Sequence, residues 1–397
     1  MRSGSKNHAA LCVLVLTFIL ITVLIHIHLG YPVLAPSPYN SYTLQAMAWR
    51  KGQAHLDMDY PHLELAIYQG RYFVSFPPFP SVPVFLLTFI FGDNVPDGML
   101  VKLYALIALI VIFQMLLRHG FSPFKAAFWA LSLCFSSSML PLVFSGAVWY
   151  QAQVLAFMLT AAAIDFMDRE RPGPGLALFA LAVGCRPFNA LYGPLLIILY
   201  VIRQREKDND FSRILRRLLP GLLIGLMIAA LYGIYNFIRF GNPLEFGHSY
   251  LPEFSFQGGT QFSLGHLGKN IGEFFFTLPF EQTSEGLRLK QFGFSLFIAN
   301  PVLLLFFFRG AQDIVKRILK TDQGLILITM LIHLVLLLLH RTFGGYQYGA
   351  RYAVDLIPYS LLYLIRREGR KLNAFEAVIL VLGFMMAVLG SLFIRIQ

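Results

Sequence analysis

The chain has 397 residues, of which 57% are hydrophobic and only 13% are charged. Soluble domains carry about 25% charged residues, so this composition excludes an ordinary soluble protein and indicates a membrane protein with several spans. The net charge of +11 does not indicate nucleic-acid binding, because the cations form short clusters between apolar runs, a pattern that sets membrane orientation.

The first apolar run covers residues 9–30 and follows Arg2 and Lys6. It begins like a signal peptide, but it is longer than the usual apolar region of about 7–15 residues. We therefore expect a retained membrane anchor. The alternative is cleavage near Ala35.

A membrane-spanning helix needs about 20 mostly apolar residues. Good candidates are 9–30, 99–117, 124–144, 148–167, 218–239, 292–308, 323–340, 352–366 and 374–394. The stretch 82–92 is apolar, but a helix of that length covers only about 16 Å, so we expect it to lie at the interface. The stretch 176–202 is interrupted at Arg186-Pro187 and is expected to cross and return.

The distribution of Lys and Arg sets the orientation. Six segments hold 20 of the 32 cations, namely 1–8, 118–125, 168–175, 203–217, 309–320 and 366–371. These six segments lie on the same face of the membrane if 82–92 does not cross and 176–202 crosses twice. On the opposite face, the longer segments 31–98 and 240–291 hold only three cations each. Cytoplasmic loops carry the excess of positive charge, and cluster 203–208 fits a solvated loop beside anionic membrane lipids.

These patterns predict an all-α polytopic protein of the cell membrane with about eleven transmembrane helices. The N-terminus is expected in the cytoplasm and the C-terminus outside. Residues 1–397 are expected to form a single transmembrane domain, with interfacial helices in the first extracytoplasmic loop. The expected outer segments are 31–98, 240–291 and 341–351.

Three of the carboxylates in the first outer segment are candidates for chemistry, namely Asp57, Asp59 and Glu64. Asp57 and Asp59 are two residues apart, a spacing that suits a divalent metal ion or a general base. The simpler interpretation is a solvent-facing pair, because Asp is usually exposed. Glu64 precedes an apolar stretch, so we expect it in a short helix on the membrane, either as a catalytic group or as a cap. The sequence identifies no certain cofactor, and a divalent metal remains one option.

Arg186 lies inside the apolar stretch 176–202. A cation at the centre of a bilayer costs about 2.5–3.5 kcal/mol on insertion scales, so it needs a partner or a water-filled cavity. Pro187 breaks the helix beside it, and irregular backbone at membrane depth usually lines a cavity. Arg186 therefore indicates either a pocket for a substrate phosphate or an internal ion pair.

Two further groups of polar residues lie at the predicted outer face. Asn236 and Arg239 end the span 218–239, where Asn236 is hard to place in lipid and Arg239 either snorkels or binds substrate. The glycine-rich turn 340–352 carries Arg341 and Arg351, whose guanidinium groups match phosphate oxygens. A simpler role for the turn is a tight connection in which Arg351 pairs with the residue four positions later, Asp355.

Taken in this order, the motifs resemble the GT-C superfamily of membrane glycosyltransferases. The nearest likeness is to bacterial relatives of protein O-mannosyltransferases and of the aminoarabinose transferases that modify lipid A. The motifs that carry the resemblance are 39–52, 63–65 and 70–80 in the first outer segment, Cys185-Arg186-Pro187, Tyr235-Asn236 with 239–243, and Gly344-Gly345 with 348–352.

The resemblance implies a polyprenyl-phosphate-linked sugar as donor and a glycan, lipid or protein as acceptor. It also implies an acidic catalytic base in the first outer segment, where Asp57 fits best and Asp59 and Glu64 are the alternatives. Many family members have an acidic residue soon after the first helix, but residues 40–45 have none. The implied substrate-binding residues are Arg71, Arg186, Asn236, Arg239, Arg341, Tyr348, Arg351 and Tyr352.

Two other functions fit parts of this pattern. A transporter or lipid flippase also has a broken helix, a buried arginine and a polar cavity. However, we find no inverted repeat, and a transporter needs no long outer segment with carboxylates. A non-catalytic membrane partner of another enzyme is the third possibility, and it would tolerate loss of Asp57 and Arg351.

Overall fold

The computed structural model describes residues 2–257, 261–284, 286–342, 344–367 and 372–393. The described α-helices are α1 (Arg2–Leu29), α2 (Ser41–Arg50), α3 (Ser81–Phe91), α4 (Asp97–Arg118), α5 (Pro123–Phe135), α6 (Met139–Leu142), α7 (Val148–Asp168), α8 (Pro172–Val183), α9 (Gly193–Arg205), α10 (Phe211–Phe240), α11 (Pro252–Gln257), α12 (Leu267–Ile271), α13 (Leu296–Ala299), α14 (Pro301–Val315), α15 (Thr321–Leu339), α16 (Ile357–Arg366) and α17 (Ala374–Phe393). Short 3-10 helices cover Pro187–Tyr192, His248–Tyr250, Leu264–His266 and Arg351–Leu356, and a π-helix covers Gly272–Phe276.

Six of the described helices are long and apolar enough to cross a membrane. They are α1 from Ser5 onward, α4, α7, α10, α15 and α17. In α7, 83% of the most apolar stretch is buried, against 11% in α10. Helix α7 therefore lies at the centre of the bundle, while α10 presents most of its surface to lipid. The total of about eleven spans stays a prediction.

Two expected spans are broken rather than continuous. The span expected over 124–144 divides into α5 and α6 at residues 136–138, and the span expected over 292–308 divides into α13 and α14 at Asn300. The breaks contact each other, because Asn300 Oδ1 accepts a hydrogen bond from the Ser138 backbone N–H at 2.9 Å. Polar backbone freed inside a membrane protein must be satisfied by protein, and the Asn300 side chain supplies that partner for the break at 136–138.

The expected interruption at Arg186-Pro187 is confirmed. Helix α8 ends at Val183 and a 3-10 helix begins at Pro187. At Gly184, a Cβ would collide with the ring of Tyr232 from α10, so this position needs glycine. The Gly184 carbonyl is free of the helix and accepts the Phe79 backbone N–H at 3.2 Å. The first outer segment is thereby anchored to the broken helix.

Two β-hairpins depart from the all-α expectation. Strands β1 (Leu65–Tyr68) and β2 (Arg71–Val74) pair antiparallel in the first outer segment, and β3 (Phe280–Thr283) pairs with β4 (Gly286–Leu289) in the second. The expectation of a membrane-surface helix at Glu64 is therefore wrong. Gln69 and Gly70 both have positive φ, 50° and 73°, which is the backbone of a two-residue hairpin turn.

Candidate active site

A cavity of about 520 Å³ lies where the outer segments meet the broken helix. Its wall combines parts of the chain that are far apart in sequence. They are residues 75–77 after β2, 185–188 at the break, 244–249 after α10, and His340, Arg351 and Tyr352 near the glycine-rich turn. The structure thus brings the first outer segment, Arg186 and the turn together around one space.

Arg186 is held at the cavity by an internal ion pair. Its Nε and Nη2 both lie 3.0 Å from Asp355 Oδ2. Gln153 of α7 supports the pair, because its Nε2 donates to Asp355 Oδ1 at 3.2 Å and to the Arg351 carbonyl at 2.7 Å. The guanidinium also stacks over the Tyr352 ring, 4.9 Å from its centroid. Arg186 therefore has both the ion pair and the pocket position that the sequence left as alternatives.

Arg351 has a buried guanidinium and no carboxylate partner among the described residues. The residue is 5% exposed, and its Nε makes no hydrogen bond. Its contacts are with rings, at 4.7 Å from the Tyr352 centroid and 5.8 Å from that of Tyr150. The expected pair with Asp355 is wrong, since Asp355 is taken by Arg186. Its charge has a Coulombic interaction with that of Glu64, with no direct salt bridge between the two described side chains. A buried cation without a directly bonded carboxylate is an attractive place for an anion.

Glu64 is the first-segment carboxylate that lies next to the cavity. The Trp149 indole N–H donates to Glu64 Oε2 at 2.9 Å, and the Ser75 hydroxyl donates to the Glu64 carbonyl at 2.8 Å. Trp149 and Ser75 both line the cavity. Burial raises the pKa of the Glu64 carboxyl above its ordinary 4.5, and the Trp149 hydrogen bond opposes that shift.

Asp57, Asp59 and Arg71 are exposed and do not line the cavity. Asp57 lies 2.5 Å from Lys51, and this partner lowers the pKa of the Asp57 carboxyl below its ordinary 3.8. Among the residues that the structure describes, no group of three or more His, Cys, Asp or Glu side chains could hold a metal ion. The structure therefore places the expected Asp57–Asp59 site on the exposed surface, outside the cavity lining that contains Arg186 and Arg351.

Asn236 and Arg239 are buried beside the cavity and outside its lining. Arg239 donates to the Val74 carbonyl at 2.8 Å and to Asn236 Oδ1 at 2.7 Å, while Asn236 Nδ2 donates to the Pro243 carbonyl at 3.1 Å. Val74 precedes the wall segment 75–77, and Pro243 precedes the wall segment 244–249. This buried pair, which we call the clamp, thus holds two walls of the cavity on α10.

The remaining expected site residues lie in three different environments. Tyr352 lines the main cavity, and Arg341 lines a smaller cavity beside it. Tyr348 is only 2% exposed and packs edge-on against Phe294, with 5.0 Å between ring centroids. Tyr348 is therefore a core residue in this structure and does not line either cavity.

Sequence reasoning missed Glu245, which is the one carboxylate among the described lining residues of the main cavity. Its Oε1 accepts the backbone N–H groups of Gly247 at 2.6 Å and Ser249 at 3.4 Å. Gly247 has φ of 100° and packs against Ser75 and Phe240, so the turn needs glycine. No local motif marks Glu245, because its position depends on a turn that the clamp and the first outer segment fix together.

The fold and the site define a polytopic membrane protein with a cationic cavity beside its outer segments. No family model matches the sequence, and no curated protein matches it. Solved structures do match in fold, two of them with TM-scores above 0.5. ArnT from Cupriavidus metallidurans bound to undecaprenyl phosphate is 15% identical, with a TM-score of 0.52, and the match covers 96% of this chain and 76% of that chain.

The second match is the oligosaccharyltransferase from Archaeoglobus fulgidus in the apo form. It is 15% identical with a TM-score of 0.51, and the match covers 98% of this chain and 56% of that chain. The chain thus spans just over half the length of that enzyme. Both proteins are GT-C glycosyltransferases. The likeness shows that this chain shares the fold of these two proteins, as the resemblance in its sequence predicted.

Proposed function

We propose that the protein is an integral-membrane glycosyltransferase. It moves a sugar from a polyprenyl-phosphate donor to a hydroxyl of a glycan, lipid or protein acceptor on the extracytoplasmic side of the cell membrane. The observation that carries this proposal is the buried guanidinium of Arg351, which forms no salt bridge among the described residues and lines the same cavity as Arg186. The fold match to a protein bound to undecaprenyl phosphate supports the same donor class.

The two arginines act on the leaving group. As the acceptor oxygen attacks the anomeric carbon, the bond from that carbon to the phosphate oxygen breaks and negative charge grows on the phosphate. Preorganised cations in a water-poor site stabilise that charge more than the ground state. Arg351 supplies a full charge, and Arg186 supplies one that Asp355 partly neutralises. The sugar ring develops oxocarbenium character, as in glycoside hydrolysis.

We assign the general base to Glu64 among the three candidate carboxylates of the first outer segment. A base must reach the acceptor proton within hydrogen-bonding distance, directly or through one water. Glu64 contacts the cavity wall through Trp149, whereas Asp57 and Asp59 lie at the outer surface. Burial also raises the pKa of Glu64 toward the working pH, which makes its carboxylate a better base.

The sidedness follows from the charge distribution. The proposal places 203–217 in the cytoplasm and 240–291 outside, within a single transmembrane domain of residues 1–397. Single cysteines at Asp208 and Glu281, in a protein with Cys12, Cys134 and Cys185 replaced by alanine, would report this. A membrane-impermeant maleimide should label position 281 in intact cells and position 208 only after lysis. Labelling on the same side would contradict the topology.

Transfer from a lipid donor is the direct test. The purified protein in nanodiscs would be given undecaprenyl phosphate linked to radiolabelled hexoses or pentoses, together with extracts of the cell envelope as acceptor. We expect sugar transfer that requires the protein and is lost in Arg351→Ala. Movement of the labelled lipid across the bilayer without transfer would instead identify a flippase, and the enzyme proposal would fail.

A further inference from the structure

A smaller cavity of about 120 Å³ adjoins the main one, and we call it the side pocket. Its lining is His248, Ser249, Phe254, Gln261, His340 and Arg341. The first two residues, with Gln261 and His340, line both cavities, whereas Arg186 and Arg351 line only the main one. The side pocket is therefore a branch of the main cavity whose lining does not include the arginine pair.

The shared residues of the side pocket both donate and accept hydrogen bonds. The Ser249 hydroxyl and the Gln261 amide each have donor and acceptor capacity. Burial lowers the pKa of His248 to about 4, so its imidazole is neutral at pH 7 and offers one donor and one acceptor. The His340 imidazole lies 3.2 Å from Gln261 Nε2 and 2.9 Å from the Thr342 carbonyl.

Glu245 adds a fixed acceptor where the side pocket joins the main cavity. One of its oxygens, Oε1, is held by the backbone N–H groups of Gly247 and Ser249. No described hydrogen bond uses the other oxygen, Oε2, and Glu245 lines the main cavity. The carboxylate is thus fixed through one oxygen and presents the second to a ligand.

This mixture of groups selects a class of ligand. An anion is best held by donors alone, and an ammonium group by acceptors alone, whereas a sugar hydroxyl does both and matches bidirectional partners. Phe254 adds an aromatic wall, with the Arg341 guanidinium 4.8 Å from its ring centroid. A ring with several hydroxyl groups fits this lining better than a second phosphate does.

We propose that the side pocket and Glu245 form a sugar-binding subsite that holds the hydroxyl groups of a substrate ring while Arg186 and Arg351 hold the lipid phosphate. This inference rests on the proposed function and divides its cavity into a sugar end and a phosphate end. The ring belongs either to the donor or to the acceptor. The chemistry of the lining is the same for both.

Comparing the binding of lipids with and without a sugar tests the sugar end and the phosphate end of the cavity separately. Undecaprenyl phosphate and its glucose, mannose and arabinose esters would be titrated into the full-length protein in nanodiscs. For Glu245→Gln, Ser249→Ala and Gln261→Leu, we expect unchanged binding of the sugar-free lipid. A sugar-bearing lipid should bind about fivefold more weakly for each hydrogen bond removed. Arg351→Ala should weaken both kinds of lipid.

Glu253→Gln is the matched control for Glu245→Gln, because Glu253 is an exposed carboxylate of the same outer segment and lines neither cavity. It should change neither binding constant. If the ring belongs to the acceptor, the subsite variants will leave both lipid affinities unchanged and raise the KM for the acceptor in the transfer assay.

Two results would overturn the subsite: equal weakening of sugar-free and sugar-bearing lipid, or no change in lipid affinity and acceptor KM alike. Failure of the proposed function gives a different result. In that case the wild-type protein transfers no sugar from any of the lipids, while the comparison of binding constants still decides whether the side pocket recognises a sugar.

Discussion

Asp355 pairs with Arg186, 169 residues away in sequence, at 3.0 Å, and not with Arg351 four residues before it. The reason is local geometry. Arg351–Leu356 is a 3-10 helix, in which residues four apart point about 120° away from each other because a turn has three residues. Asp355 therefore turns toward the broken helix, and Arg351 lines the cavity without a salt bridge to any described carboxylate.

Loss of the Arg351 charge should separate activity from stability. For Arg351→Met, we expect the transfer rate to fall by about 10²–10³-fold, the usual loss when one preorganised contact to developing negative charge is removed. Thermal stability in detergent should stay the same or rise, because a buried cation without a partner costs free energy in the native state. Transfer assays and melting curves measure the two effects.

Arg288→Met is the control for this substitution. Arg288 is exposed on the second hairpin and lines neither cavity, so its loss should change neither quantity. A large drop in stability for Arg351→Met would show that the guanidinium is a structural group and would remove the phosphate assignment.

Loss of the Asp355 charge should lower stability, in contrast to loss of the Arg351 charge. Asp355→Asn leaves Arg186 buried without its counterion, and breaking a buried pair from one side typically costs about 3–5 kcal/mol. The double variant Arg186→Met/Asp355→Asn should recover part of that loss, because no unpaired charge remains. Thermal unfolding of the two single variants and the double variant gives the coupling energy. Additive losses would mean that the two side chains do not stabilise each other.

The acid limb of the pH–rate profile should identify the base. A base acts only when deprotonated, so a Glu64 base puts the limb of kcat/KM above pH 4.5, the ordinary pKa that burial raises. An Asp57 base puts it below 3.8, because Lys51 lowers that pKa. Trp149→Phe removes a hydrogen bond to the carboxylate, so with Glu64 as base the limb should move to higher pH. A limb that does not move would exclude Glu64.

The raised pKa of Glu64 also has a stability consequence. A carboxyl group whose pKa is higher in the folded state binds its proton more tightly there, so folding is favoured at low pH. The native state loses this contribution as the pH rises from about 4.5 through the raised value. Glu64→Gln should therefore be more stable than the wild type at pH 7, and the advantage should vanish below pH 4.

The clamp should behave as a positioning device rather than a ligand contact. Asn236→Ala and Arg239→Ala each leave buried polar groups without partners, which costs about 1–3 kcal/mol per group. Each should lower the melting temperature and disturb kcat and KM together. Because the two side chains share a hydrogen bond, the double variant should lose less than the sum of the single variants.

Ile238→Ala is the control for the clamp, because that side chain is 66% exposed on the same helix and faces lipid. It should leave activity and stability nearly unchanged. If Asn236→Ala weakened the binding of undecaprenyl phosphate with no loss of stability, the residue would be a direct ligand contact, as the sequence resemblance first implied.

Features with strong local signals were predicted correctly. Arg186-Pro187 was expected to break a helix at membrane depth, and the structure breaks there. The stretch 82–92 was expected to be too short to span, and α3 has 11 residues. Both conclusions follow from properties of a few adjacent residues, namely a proline without a backbone N–H and the length of an apolar run.

Other features depend on distant parts of the chain. The first hairpin had a local signal in Gln69-Gly70 between two β-prone runs, but the apolar residues after Glu64 suggested a helix instead. The sequence suggested that Asn236 lines the pocket. Its actual hydrogen-bond partner, the Pro243 carbonyl, comes within reach only because the chain turns back after α10. Glu245 gave no signal, because a single Glu acquires its place from Gly247 and Ser75, which meet through tertiary packing.

The unpaired guanidinium of Arg351 has a consequence for the end of the catalytic cycle. In the proposed donor the phosphate is a diester with one negative charge. After transfer it becomes a monoester with about −1.5 to −2 charges at pH 7. Two arginines that attract the donor therefore retain the spent lipid more strongly. Departure of the used carrier into the bilayer must then overcome a stronger attraction than the donor felt on entry.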